Sequence, residues 1–207
     1  MKTAVAKALF KSYDYPEYRK LIEDLLLQEK STGNLQSEAL TTYSGLNDTR
    51  MSLLDETITI SDSNLEKLKS LKKKYIWLVL AEGWCTDSAQ VLPILNKMAN
   101  ESGIVDLKIV LPEENEELLS FFVINGKSSI PKVIIVDKES GAVFGSWGPR
   151  SKIAERFIKE YKEKNGSMDE ASNSDLLLFH MHDKGTSVQD ELISLMIDLE
   201  EQHKQTD

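Results

Sequence analysis

One junction constrains this chain more than any other. Tyr75-Ile76-Trp77-Leu78-Val79-Leu80-Ala81 is an unbroken apolar run, rich in β-branched and aromatic side chains, with the length and composition of a buried strand. Ala89, Val91, Leu92, Leu95, Met98 and Ala99 then recur at helical spacing. Between them lies Trp84-Cys85-Thr86-Asp87-Ser88, which holds the only cysteine of the chain. Cys85 therefore falls where a strand hands over to a helix. A thiol at that point faces unpaired amide N–H groups and the positive end of the helix dipole, and both favour thiolate over thiol.

Around this junction the pattern alternates between strands and helices. Asp14-Tyr15-Pro16-Glu17 opens a helix with an apolar face of Tyr18, Leu21, Ile22, Leu25 and Leu26, closed by Ser31-Thr32-Gly33-Asn34. A second helix spans about 36–55, with Leu40, Tyr43, Leu46, Met51 and Leu54 on its apolar face. Ile58-Thr59-Ile60 reads as a short strand and 61–74 as a serine-capped helix. Beyond the cysteine helix, 105–111 is a strand stopped by Pro112, and 113–123 is a short acidic-fronted helix. Residues 132–137 and 142–147 form a hairpin about Gly141, and 151–164 form a helix. Two more helices follow, 169–183 and 187–203, the second opened by a Ser187-x-x-Asp190 capping box. This order predicts an α/β fold, a mixed sheet flanked by helices, with an N-terminal helical hairpin and a C-terminal helical extension. The expected division is 1–55 for the first arm, 56–165 for the domain and 166–207 for the extension. The residues before Pro16 and after His203 are expected to be loosely held.

Composition narrows the function classes. The net charge of −9 would repel nucleic acid and anionic lipid, so neither is an expected partner. A single cysteine excludes an intramolecular disulfide, the early apolar run is broken by Lys7 and Lys11, and no stretch has the ~20 apolar residues of a membrane helix. The chain reads as a cytoplasmic protein. His180 and His182, two apart on a helix, face different directions, and with His203 remote no metal site is expected. No glycine-rich phosphate loop or nucleotide fingerprint is present, and no cofactor is expected.

Strand, Trp-Cys-x-x-Ser, a helix kinked at Pro93, then Ser129-Ile130-Pro131 before an apolar strand together resemble the thioredoxin superfamily over about the central half of the chain. Trp147-Gly148-Pro149-Arg150 and Asp183-Lys184-Gly185 extend the likeness to a bacterial thioredoxin-like branch. The resemblance implies that Cys85 is the nucleophile and Trp84 its flanking platform. It also implies a cis Ile130–Pro131 bond facing the cysteine, whose neighbouring backbone pairs with an extended substrate. Two features depart from the family. Its second, resolving cysteine is Ser88 here, and the buried acid often found six residues before the nucleophile is Val79.

Both departures point to a one-thiol site. The leading expectation is a monothiol thiol-disulfide oxidoreductase that acts by mixed-disulfide exchange through Cys85. Its partner would be a client protein or a low-molecular-weight thiol or disulfide. The rival expectation is a thioredoxin-fold protein-binding module without redox activity. A third, transfer to an electrophile, lacks a recognisable second-substrate domain. Ser88, one turn along the helix, is placed to donate to a Cys85 thiolate. Glu82 and Asp87 bracket the cysteine as solvated carboxylates that oppose ionisation, and Lys132 and Arg150 are candidate cations to offset them. The balance predicts a Cys85 pKa below the free value of ~8.5.

Overall fold

The structure is a computed structural model and describes residues 1–123 and 128–204. The apolar run forms β1 (Tyr75–Leu80), an inner strand of a four-stranded sheet ordered β2-β1-β3-β4. β2 (Val105–Val110) lies parallel to β1, and their connection is α5 (Thr86–Ser102), which ends at Gly103 in the left-handed region. β3 (Lys132–Asp137) runs antiparallel to β1, and β4 (Val143–Trp147) antiparallel to β3. The register pairs Leu80 with Lys132. The end of β1, from which the chain runs to Cys85, therefore lies beside the start of β3, where Pro131 precedes Lys132.

Alternation along the strands divides the core in two. Trp77, Val79, Val133 and Ile135 face one hydrophobic cluster, while Leu78, Leu80, Ile134 and Val136 face the other. The first cluster is covered by α5, by α2 (Tyr15–Leu26) through Tyr18 and Ile22, and by α9 (Thr186–Lys204) through Val188, Leu192, Ile193 and Met196. Residues from 1–55, 56–165 and 166–207 thus share one core. The second cluster is covered by α1 (Lys2–Phe10), through Ala4, Val5 and Ala8, and by α6 (Glu116–Ser120), through Leu118.

Several expectations change. The segment before Pro16 is an ordered helix that packs on the sheet, and Tyr13 bridges to Ile109. Its small buried residues let it lie close to the strands, while Lys7 and Lys11, which break the apolar run in sequence, lie exposed. The strand expected at Ile58-Thr59-Ile60 does not form. α3 (Glu38–Thr57) runs on to Thr57, Ile58 caps it, and the Thr59 carbonyl accepts from Gln189 instead of a neighbouring strand. α4 (Asp62–Lys69) ends before the expected residue 74, at Ser70. A 3-10 turn (Pro112–Asn115) and α6 replace the single helix read over 113–123. α7 (Lys152–Asn165) and α8 (Glu170–Asp183) complete the chain. The Ser187–Asp190 capping box is not made. Asp183 takes the Ser187 amide, and Asp190 accepts from Asn64 at 2.8 Å. The expectation for the residues after His203 falls largely outside the described residues.

Candidate functional site

Cys85 is the N-cap residue of α5 and is only 8% exposed. Its amide donates to the Glu82 carbonyl at 3.1 Å, and its own carbonyl accepts from Ala89 at 3.0 Å. The thiol donates to the Ile130 carbonyl oxygen, with sulfur and oxygen 3.4 Å apart. The Ile130–Pro131 peptide is cis, and so is Gly148–Pro149. The two turns are held together. Lys132 Nζ donates to the Gly148 carbonyl at 2.7 Å, and a Cβ at Gly148 would come within 2.5 Å of the Pro131 carbonyl oxygen. Gly148 also sits at φ +101°, so glycine is required there twice over. Lys132 is buried, and its ammonium is bound to this turn.

The electrostatics reverse the expectation of an acidified thiol. Burial pushes the Cys85 thiol up from its ordinary value, and the nearby Asp87 carboxylate pushes the same way. Bonds to the thiolate from the Ser88 hydroxyl and the amides of Ser88 and Asp87 pull it down, but not enough to offset burial and Asp87 together. A bond donated by S–H to Ile130 exists only in the protonated form and so adds to the upward push. The helix end and the neighbouring carboxylates are legible from local sequence; the desolvation of the sulfur itself, which the closeness of the Ile130 wall imposes, is not.

Neither flanking acid is solvated. Asp87 is held by Arg150, whose Nε donates at 2.6 Å and whose Nη2 donates to the other carboxylate oxygen. Arg150 is thereby committed to Asp87. Burial raises the Asp87 pKa although Arg150 opposes the rise. Glu82 is 3% exposed, and its Oε2 has no hydrogen-bond partner among the described residues. Burial pushes its pKa up to about 7, against a bond from Thr32, with Glu113 and Glu114 adding to the rise. The chain thus has a buried acid near its thiol, on the loop after β1 and not at Val79. With the sulfur protonated, Ser88 Oγ is buried without a hydrogen-bond partner among the described residues, so it favours the thiolate only by donating to it; the Tyr18 hydroxyl is likewise unpartnered among them and feels the charges of both Glu82 and Cys85.

Residues that the sequence reading did not single out fix the loop. Gly83 N–H donates to Thr32 Oγ1 at 2.8 Å, and the Gly83 carbonyl accepts from Asn47 Nδ2 at 2.9 Å. Asn47 belongs to a buried stripe of Ser44, Asn47 and Met51 on α3. The apolar face expected on that helix is only partly buried: Met51 and Leu54 pack on the core, while Tyr43 is left 53% and Leu46 62% exposed. The physical reason is the carbonyl of Gly83, a buried acceptor that only a polar side chain from α3 can satisfy. A signal was available in the i, i+3, i+7 spacing of Ser44, Asn47 and Met51, which marks an alternative helix face.

Above Cys85 and Trp84 opens a cleft of about 760 Å³, walled by α3 on one side and by α7 and α8 on the other. Trp84 is half-buried on its floor. His180 reaches the cleft, and burial lowers its pKa to about 4. Among the described residues no group of three or more His, Cys, Asp or Glu side chains is gathered as a metal would require, and no helix is long and apolar enough to cross a membrane.

The family model described as Thioredoxin matches residues 33–162, which spans β1, the Cys85 helix, Pro131 and most of α7. This chain belongs to the thioredoxin family. No curated protein matches it in sequence. Among solved structures it is similar to a protein of unknown function from Pseudomonas aeruginosa, with 16% identity and a TM-score of 0.57, over 90% of this chain and 98% of that one. An HIV epitope-scaffold, 4E10, is similar at 14% identity and a TM-score of 0.56, over 90% of this chain and 99% of that one. At these identities the likeness is one of fold. It extends beyond the thioredoxin core to the flanking helices, because it covers more of the chain than the family model does.

Proposed function

We propose that the protein carries out one-thiol disulfide exchange through Cys85. Cys85 loses its proton to solvent, the thiolate attacks one sulfur of a disulfide, and the S–S bond to Cys85 forms as the other sulfur leaves as thiolate. A second, external thiol then attacks the mixed disulfide and restores Cys85. Ser88 cannot resolve it, since a hydroxyl forms no disulfide. The observation that supports this reading best is the Cys85 sulfur at a helix N-terminus, 3.4 Å from the Ile130 carbonyl beside Pro131, on the floor of an open cleft. In the resting protein the thiol occupies the carbonyl that an extended substrate would use. A substrate N–H arriving at Ile130 displaces the S–H and removes one brake on ionisation. Trp84 lines the cleft beside Cys85, and Pro131 follows Ile130 in the cis turn.

A second reading, a binding module without redox work, draws on the upward shift of the thiol and its low exposure. The two separate on one experiment. Purified protein is incubated with a small disulfide, and the leaving thiol is counted against the mass of the protein. Exchange yields one adduct per chain, located at Cys85, reversed by added thiol and absent in Cys85→Ser. A native protein that gains no adduct, while the same chain reacts in denaturant, would establish the binding module.

A further inference from the structure

The cleft above Cys85 has walls that the fold itself does not use. Tyr43 and Leu46 on α3 and Leu177 on α8 are large apolar residues left exposed, and all three line it. Its charges also run against those of the molecule. The chain carries −9 overall, yet Arg50, Arg150 and Lys162 line the cleft against the single carboxylate of Asp87. Asp87 is taken by the bidentate bond from Arg150. Arg50 is half-buried and makes no hydrogen bond or ion pair among the described residues. Burial acts against its charge, and Asp87 is felt only at a distance. A guanidinium held partly out of water without a partner is costly, and an anion delivered by a ligand would offset that cost. The volume of about 760 Å³ falls within the range of small-molecule sites, and helices close it on both flanks.

We propose that this cleft binds a low-molecular-weight anionic disulfide or thiol with an apolar body, its negative group on Arg50, its body between Tyr43, Leu46 and Leu177, and its sulfur over Cys85. The proposal rests on the exchange reading and narrows its substrate to a small molecule in place of a protein client. The chemistry is redox-neutral. Cys85 thiolate and R–S–S–R give Cys85–S–S–R and R–S⁻, and a thiol of different body, R′–SH, then attacks the mixed disulfide, releasing Cys85–SH and R–S–S–R′. Arg50 touches no reacting atom and acts as a positioning residue for the anion.

The test compares two aromatic disulfides of similar body and different charge, the dianion 5,5′-dithiobis(2-nitrobenzoate) and the neutral 4,4′-dithiodipyridine. Rates of Cys85 modification in the native protein are each divided by the rate for the same chain in denaturant, which removes intrinsic reactivity. The native ratio of anionic to neutral rates exceeds one and falls as salt is added. Arg50→Gln lowers that ratio by about tenfold, the scale of one lost charge-assisted bond. Arg50→Lys, a second variant that keeps the charge without the fork, restores part of it. Lys162→Gln, at an exposed position, changes it far less. A ratio near one that is insensitive to salt and to Arg50→Gln, with both disulfides reacting, overturns this inference and leaves exchange standing. Failure of both disulfides to modify native Cys85 overturns the two together.

Discussion

The Cys85 thiol donates to the main-chain carbonyl of Ile130 across 3.4 Å, so the start of α5 and the cis-proline turn before β3 are bonded to each other at rest. The bond covers the sulfur and favours its protonated form. Reactivity therefore depends on what replaces the thiol at that carbonyl.

The first prediction concerns the pH dependence of that thiol. Because the pKa in the folded chain is raised by burial and by Asp87, the thiolate fraction at neutral pH is smaller than for a free cysteine. Iodoacetamide labelling of the native protein should then rise with pH through a midpoint above that of the denatured chain. Asp87→Asn removes a raising charge and frees Arg150, so the midpoint falls. Ser88→Ala removes a group that favours thiolate, and the midpoint climbs. A native midpoint below the denatured one would contradict the desolvation argument.

Glu82 gives the second prediction, in stability. Its folded pKa of about 7 lies above the ordinary 4.5, so between these values the native state binds more protons than the unfolded chain. By linkage, stability falls as pH rises through this window. Its contribution is intact below pH 4.5 and lost above pH 7. At 1.36 kcal/mol per unit, the loss amounts to about 3 kcal/mol. Denaturant melts of wild type and Glu82→Gln at pH 5 and pH 8 test this. The variant should lack that part of the slope and be the more stable protein at pH 8.

Gly148 carries the third. An alanine there must adopt φ +101° and place its Cβ 2.5 Å from the backbone oxygen of Pro131, which no side-chain rotation relieves. We expect Gly148→Ala to destabilise by about 2 kcal/mol or more, from the backbone conformation and the forced shift together. Because the shift falls on Pro131, the Cys85 labelling rate should change as well. Gly141→Ala, whose Cβ meets nothing within 4 Å although its φ is also positive, isolates the conformational part.

Much of this arrangement is legible in the sequence. The buried run of Tyr75 to Leu80, the cysteine at the start of its helix, the hairpin at Gly141 and Pro131 before β3 all follow from local pattern, because strand burial, capping and turn chemistry are set by near neighbours. The electrostatics do not. Whether Glu82 is solvated depends on Thr32 and Gly33, some fifty residues away, which close over it. Whether Arg150 tunes Cys85 depends on Asp87 claiming it first. The face of α3 is likewise decided from outside the helix. Periodicity offered two stripes, and the buried Gly83 carbonyl selected the one with Asn47.

That selection supports the last prediction. Asn47 is buried and its amide is the donor to the Gly83 carbonyl, while Thr32 accepts from the Gly83 amide, so the two pin the residue between Glu82 and Trp84 from both sides. Asn47→Ala leaves a buried carbonyl without a partner and should cost about 1–3 kcal/mol. Leu46→Ala, next to it but on the exposed side of α3, should stay within about 0.5 kcal/mol. A helix packed by its apolar face would give the opposite order, with Leu46 costly and Asn47 neutral. Hydrogen exchange adds a local readout. In Asn47→Ala the amides of Gly83 and Cys85 should exchange faster relative to those of β1, because the loop has lost one of its two anchors while the strand keeps its ladder. Urea melts that rank the two variants in the opposite order, or a Gly83 amide as protected as in wild type, would show that α3 does not hold the cysteine loop.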